Sequence, residues 1–427
     1  MKKLTIHNIG PVKDVELNLN RVNVIMGPQC AGKSCILKIA CFCAWAEKRI
    51  ELEQDKNGFA DFSYIEENLL DFHKLRGFVK PGSWFAYKTS HLEFVCDFDN
   101  RTFNLTFNSA GRWKYKRSRV AYIPAERNLV AVIPNWLDVR LGNTNLSNFV
   151  SDWDMTRRLF VKDNALKALN LGVDYYYDED KKVDVVRMEN GDTIDFSAAS
   201  SGVQSVIPMQ VFLNYLFHKQ YTNPLSNKVF VDSENENILQ HIYQKKFQRG
   251  LRNRLGDKQP YIDKIGPGKL TFASEDEYKE CKALFDSFTK TAYSEIYLEE
   301  PEQNLFPQTQ VELVYSLLSN AAEHQDNIFI ASHSPYILYA LNNCMLGGLV
   351  KKKAAEEAVG MFDFSKSWIN PKDVCVWELR DGGVTTATEN VLNTIQDKKG
   401  LIRSNYFDRV MQNVMADFKN LLNFYKS

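Results

Sequence analysis

The stretch GPQCAGKS, Gly27 to Ser34, follows an apolar run ending at Met26 and precedes a second apolar run that starts at Cys35. Its spacing, Gly-x4-Gly-Lys-Ser, is the phosphate-loop pattern, which needs a strand before it and a helix after it. Glycines let backbone N–H groups curl around phosphate oxygens, and the helix start adds positive potential. Lys33 reaches the outer phosphates of a triphosphate, and the Ser34 hydroxyl is placed to ligate Mg²⁺. The candidate nucleotide-binding residues are therefore Gly27, Pro28, Gln29, Cys30, Ala31, Gly32, Lys33, Ser34 and Cys35. Such a loop imposes an α/β fold and leaves the reaction open.

The flanks agree with that fold. Alternating apolar residues from Leu4 to Met26, broken at Gly10-Pro11 and Asn20-Arg21, predict two or three short strands. After Ser34, CILKIACFCAWAEKRI is apolar on nearly every face and predicts a helix buried inside an α/β layer. Residues 84–123 alternate again, with turn signals at Asp99-Asn100 and Ala110-Gly111, and predict an antiparallel sheet. Asn190-Gly191 predicts a hairpin with a tight two-residue turn. Residues 128–170 read as a helical insert within an N-terminal part, 1–218. The polar stretch 219–292 reads as an insertion for a partner or nucleic acid, and 293–427 as the C-terminal part with terminal helices.

Hydrolysis at a phosphate loop needs an acid near Mg²⁺ and a group that activates water. In EIYLEEPEQNLFP a short apolar strand ends in Glu299-Glu300. At the C-terminal end of a sheet strand both can face a ligand, Glu299 toward Mg²⁺ and Glu300 toward the water. KVFVDSENEN is a rival, with apolar residues ending in Asp232. Thirty residues after the acid pair, another apolar strand, Ile328 to Ala331, ends in Ser332-His333-Ser334. There His333 can donate to the γ-phosphate or the attacking water. Ser200-Ser201-Gly202 precedes an apolar helix and offers free N–H groups with a hydroxyl, either an anion site or an ordinary cap.

In chain order GPQCAGKS, SSGVQ, IYLEEPE and ASHSP resemble the Walker A, signature, Walker B and switch-histidine elements of ABC-type ATPases. The resemblance is to the branch containing the overcoming-lysogenization-defect proteins, and VAYIPAERN is also similar to it. It implies a P-loop head with a mixed central sheet, an antiparallel β-subdomain and a helical insertion. It implies that Glu300 is the catalytic base, His333 the switch and Glu299 a support for Mg²⁺. It further implies that Ser200 and Gly202 contact ATP held by a second subunit in a head-to-tail dimer. Ala199, Ser201 and Glu299 depart from the general ABC pattern but suit this branch. Gln29, or Glu126 with Arg127, could fill the Q-loop role, and Glu126-Arg127 could equally be a structural ion pair. The chain also resembles the standalone ATPase subunits of phage-defence systems such as PARIS or Septu. That implies control of a separate effector, a toxin or nuclease, by a DNA or phage-derived trigger.

Lysines plus arginines equal aspartates plus glutamates at 53 each, so no global field draws nucleic acid or an acidic membrane. The basic stretches WKYKRSR (Trp113 to Arg119) and YQKKFQRGLRNR (Tyr243 to Arg254) nevertheless support an alternative, a DNA-binding repair ATPase resembling RecF or an SMC head. The eight cysteines lack zinc or disulfide spacing and read as reduced cytosolic thiols. No apolar run approaches the roughly 18 to 20 residues of a membrane span, so a cytoplasmic protein is expected.

Overall fold

A computed structural model describes residues 2–425, apart from 134, 135, 137, 138, 223–227, 267, 352 and 386–393. Strands β1 (Lys2–Ile9) and β2 (Val12–Leu19) form a hairpin that hands the chain to β3 (Val22–Met26), which runs into the phosphate loop. Helix α1 (Lys33–Glu53) follows at once; only helices of 13 or more residues are numbered here.

β3 lies inside a six-stranded sheet. Its neighbours are β15 (Asn327–Ala331) and β16 (Val374–Arg380), flanked by β14 (Tyr293–Glu299), β7 (Ser118–Ile123) and the edge strand β17 (Gly383–Thr385). The order is β17-β16-β3-β15-β14-β7, parallel throughout except β17. Each strand shows one set of side chains to each face, and the two sets enter different cores. Val22, Val24, Ile296, Leu298, Ile328 and Ile330 belong to one core. It is shared with α2 (Asn145–Arg157), α3 (Ser201–Asn214), α6 (Pro307–Ala321) and α7 (Pro335–Val350). Ile25, Tyr122, Tyr297, Phe329 and Trp377 face the other core, which is filled by α1. Beyond α1 lies an antiparallel sheet, β2-β1-β4-β5-β6, with β4 at Val79–Lys88, β5 at Leu92–Asp97 and β6 at Thr102–Phe107. Helix α1 is therefore sandwiched, which is why apolar residues occupy nearly all its faces.

This layered α/β head, with a mixed central sheet and an antiparallel β-subdomain, is the fold class expected from the sequence. Two local expectations are corrected. The alternating stretch 84–123 divides: β4, β5 and β6 are antiparallel as expected, but β7 joins the central sheet in parallel. In the four-stranded sheet β11-β10-β9-β8, with β8 at Leu166–Lys167 and β9 at Val173–Asp178, the Asn190-Gly191 hairpin joins β10 (Val183–Met188) to β11 (Thr193–Asp195) through four residues, 189–192, rather than two. Met188 N–H donates to Asp192 O, and Gly191, at φ 89°, takes the left-handed position such a loop requires.

Residues of the 219–292 stretch form α4 (Lys228–Ile242), the hairpin β12 (Tyr261–Ile265) with β13 (Gly268–Phe272), and α5 (Glu275–Thr289). Ile238, Leu239, Ile242, Phe272 and Phe288 make a separate buried cluster there, closed by Leu52 of α1 and Tyr115. A final helix, α8 (Tyr406–Tyr425), has no buried residue. Among the described residues no helix is long and apolar enough to cross a membrane, and all eight cysteines are free thiols.

Candidate functional site

Parallel pairing brings three strand ends level. Ile25 of β3 pairs with Ala331 of β15, and Ala331 pairs with Glu299 of β14. The chain leaves all three strands within two residues of that line, so the phosphate loop, His333 and Glu300 emerge side by side. This is the C-terminal edge where open α/β sheets bind ligands.

The phosphate loop has the close approaches that explain its glycines. A Cβ on Gly27, at φ 147°, would lie 2.7 Å from Leu379 O, and one on Gly32, at φ 103°, 2.8 Å from Val12 Cγ2. Gly32 begins α1 without a side-chain cap, so the first N–H groups of the helix stay available to an anion. The Lys33 ammonium donates to Gly27 O at 2.9 Å and Pro28 O at 2.7 Å, closing the loop on itself. Burial draws Lys33 down from the ordinary lysine value to about 8, against the opposing pull of Glu300 and Glu302.

A cavity of about 400 Å³ opens over this loop, lined by Gln29, Cys30, Ala31, Gly32, Lys33, Ser34 and Cys35 and closed opposite by Glu300 and His333. Lys38, Lys74 and Phe78 also line it, and the sequence reading did not name them. Lys38 stands four residues after Ser34 on α1, the helical spacing that puts it on the same face, so the signal was there.

His333 Nε2 lies 3.0 Å from Glu300 Oε1, and this hydrogen bond holds the Glu300 carboxyl below the usual range. Glu300 sits at φ 43°, left-handed for a residue with a side chain, at the turn where the chain leaves β14. Glu299 does not line the cavity; its Oε2 accepts the Tyr122 hydroxyl at 2.6 Å, and both residues are buried. Glu302, which the sequence reading passed over, accepts from the Ser332 hydroxyl at 2.8 Å and from the His333 N–H. It thereby ties the acid loop to the end of β15, and burial raises its carboxyl.

Arg127 makes no structural ion pair with Glu126, one of the options open from sequence. Its guanidinium is fully buried and bonds the carbonyls of Pro124, Ser205, Glu299, Glu300 and Pro301. Ser200 and Gly202 lie apart from the cavity, at the start of α3. Ser200 is exposed, and its hydroxyl does not cap its own helix. A Cβ on Gly202 would lie 3.1 Å from Asn304 O, so this helix start abuts the loop that follows the acid pair. The rival acid falls away: Asp232 is in helix α4, not at a strand end.

The cavity fits a nucleoside triphosphate with Mg²⁺. Glycines leave the loop open to phosphate oxygens, three lysines line the walls, and Ser34 stands at the uncapped helix start. Among the described residues no cluster of three or more His, Cys, Asp or Glu could hold a metal alone.

Five of the nine cations in the basic stretches are ion-paired. Lys245 pairs with Asp55, Lys246 with Glu280, Arg254 with Glu277, Arg117 with Glu234 and Arg119 with Asp152. A phosphate backbone would have to displace these carboxylates.

No known family model matches the sequence, and no curated protein does. Solved structures do show likeness. The SMC head domain from Thermotoga maritima is 8% identical over 79% of this chain and 90% of that one, with a TM-score of 0.33. The recombination mediator RecF of the RecFOR pathway is 11% identical over 90% and 96%, TM-score 0.28. A dimeric bacterial ABC transporter cassette is 10% identical over 90% and 96%, TM-score 0.27. Overlaps this loose carry no functional inference, which rests on the cavity itself.

Proposed function

We propose that this chain is an ABC-type ATPase that hydrolyses ATP at the interface of a head-to-tail dimer. The observation that carries the reading is Glu300, hydrogen-bonded to His333, facing Lys33 across one cavity. Lys33 and the free N–H groups of α1 bind the β- and γ-phosphates. Glu300 accepts a proton as water oxygen bonds to the γ-phosphorus, the bond to the bridging oxygen breaks, and ADP leaves. His333 orients Glu300 and the γ-phosphate. Ser34 would hold Mg²⁺, whose charge would offset that of the phosphates; Glu299, off the cavity and bonded to Tyr122, would act on the metal only at a remove. Ser200 and Gly202 complete the partner's site, which is supported by their exposed, uncapped helix start away from their own cavity.

Glu300→Gln tests the base. The variant keeps its ATP affinity, loses about 100-fold or more in turnover and sediments as a dimer with ATP. Normal turnover in this variant sinks the assignment. The finer reading is a cytoplasmic ATPase whose nucleotide state governs a separate toxin or nuclease in anti-phage defence, supported by the motif resemblance alone. It requires the product of an adjacent gene to co-elute in a nucleotide-dependent way.

A further inference from the structure

Arg127 lies in none of the four motifs, yet it is wholly buried at 0% exposure. A guanidinium has five N–H donors in a rigid fork, and here each has a carbonyl. Nε bonds Ser205 O at 3.0 Å; Nη1 bonds Pro124 O at 3.2 Å and Glu299 O at 3.0 Å; Nη2 bonds Glu300 O at 2.9 Å and Pro301 O at 3.3 Å. Three of those carbonyls belong to the acid-pair segment, and one belongs to the first turns of α3. Burial lowers the proton affinity of Arg127 to about 10, and the carboxylates of Glu302, Glu300, Glu299 and Glu126 work against that loss.

Two details make this more than a buried strut. The left-handed turn at Glu300 aims its carbonyl at Arg127 while its carboxylate meets His333, so the peptide that Arg127 grips is the one that points the base. A second clasp runs parallel: Asn304 Nδ2 donates to Ser205 Oγ at 2.8 Å. The start of α3 and the acid loop are therefore tied together at two points.

We propose that Arg127 is a positioning residue that couples the two nucleotide sites of the dimer. Within one protomer it joins the helix start bearing Ser200, which serves the partner's ATP, to the peptide of Glu300, which serves its own. When α3 is drawn onto the partner's γ-phosphate, the displacement of Ser205 passes through the guanidinium to the Glu299–Pro301 carbonyls and sets the Glu300 carboxylate. Occupancy of one site thus tunes the base of the other. This rests on the head-to-tail reading above. Lysine, with three donors and no fork, cannot reproduce five carbonyl bonds.

The test measures ATPase rate against ATP concentration, ATP affinity by fluorescence titration and thermal melting for the wild type, Arg127→Lys and Asn304→Gly. Glycine suits the position because Asn304 is at φ 60°. The expectation is a wild-type Hill coefficient approaching about 2. In Arg127→Lys it falls to about 1 with about a tenfold loss of kcat, while ATP affinity changes by less than about twofold. In Asn304→Gly the Hill coefficient falls while the protein stays folded. A non-cooperative wild type, or folded variants that keep both rate and cooperativity, overturns the proposal. If Arg127→Lys does not fold, Asn304→Gly decides alone: unchanged cooperativity overturns the proposal, and lost cooperativity supports it. Glu300→Gln separates the two levels. Failure of that variant to dimerise with ATP sinks the dimer, whereas dimerisation alongside unchanged cooperativity in Arg127→Lys sinks only the coupling.

Discussion

Lys33 pays for its place in the loop with a depressed proton affinity. Burial takes it to about 8, so between that value and the ordinary 10.5 the unfolded chain holds more protons than the folded one. Its contribution to stability of the nucleotide-free protein therefore rises with pH across that window. ATP, however, needs the ammonium charged, so affinity falls as pH climbs through about 8, by up to about tenfold per pH unit. Titrating ATP binding from neutral to alkaline pH checks this, and a flat profile refutes it. Lys33→Ala weakens binding at neutral pH as well. Tyr122 gives a second case, since its hydroxyl donates to a buried oxygen of Glu299 at 2.6 Å. Tyr122→Phe leaves that oxygen without its donor, and the cost is about 1–3 kcal/mol of unfolding free energy, read by chemical denaturation. Individual residues were legible where chemistry demands a local spacing, as in Gly27-x4-Gly32-Lys33-Ser34. The role of Arg127 was not, because its partners are backbone carbonyls from three stretches of chain, and a carbonyl leaves no mark in the sequence.

Elements were legible where period and punctuation agree, and not where only tertiary packing decides. The β1–β2–β3 run and α1 follow from alternation, turn residues and the loop between them. Alternation also revealed β7 as a strand, but it cannot say which sheet a strand joins; the pairing of Val120, Ala121, Tyr122 and Ile123 with β14 decided that. KVFV favours a strand by its β-branched and aromatic residues, yet α4 carries Ile238, Leu239 and Ile242 on one face against Leu52, and burying that face outweighs the local preference. Helix α8 shows the converse: a strong apolar period of which, among the described residues, Phe407 packs against the central core while Val410, Val414, Phe418 and Leu421 lie exposed. Phe418 is 58% exposed, whereas Phe212 of α3 is fully buried. Phe418→Ser changes the unfolding free energy of dilute protein by less than about 0.5 kcal/mol, while Phe212→Ala costs about 3–5 kcal/mol. Comparable losses for the two in denaturant titrations would show that α8 is packed in the monomer.

At the scale of the whole molecule the head-to-tail dimer proposed above divides each nucleotide site between two protomers. The cavity gathers the loop, Glu300 and His333, and α3 presents Ser200 elsewhere. A protomer with both halves separated cannot complete its own site, so defects in the two halves must complement in a mixed dimer. Take one protomer with Lys33→Ala and another with Ser200→Arg, each inactive alone because every homodimer carries two damaged sites. Mixed equally, half of the dimers are heterodimers. In each of these the Lys33→Ala loop meets the Ser200→Arg helix at one dead site, and the intact loop meets the intact helix at the other. One live site in half the dimers predicts recovery of about a quarter of wild-type ATPase activity if the sites fire independently. Coupling through Arg127 lowers that figure, because the dead site cannot assist the live one, and adding Arg127→Lys to the Ser200→Arg protomer then changes the recovered rate. Steady-state phosphate release from the mixture is the measurement. No recovery at any mixing ratio, with both variants folded and exchanging partners, means that loop and helix start do not meet across the interface.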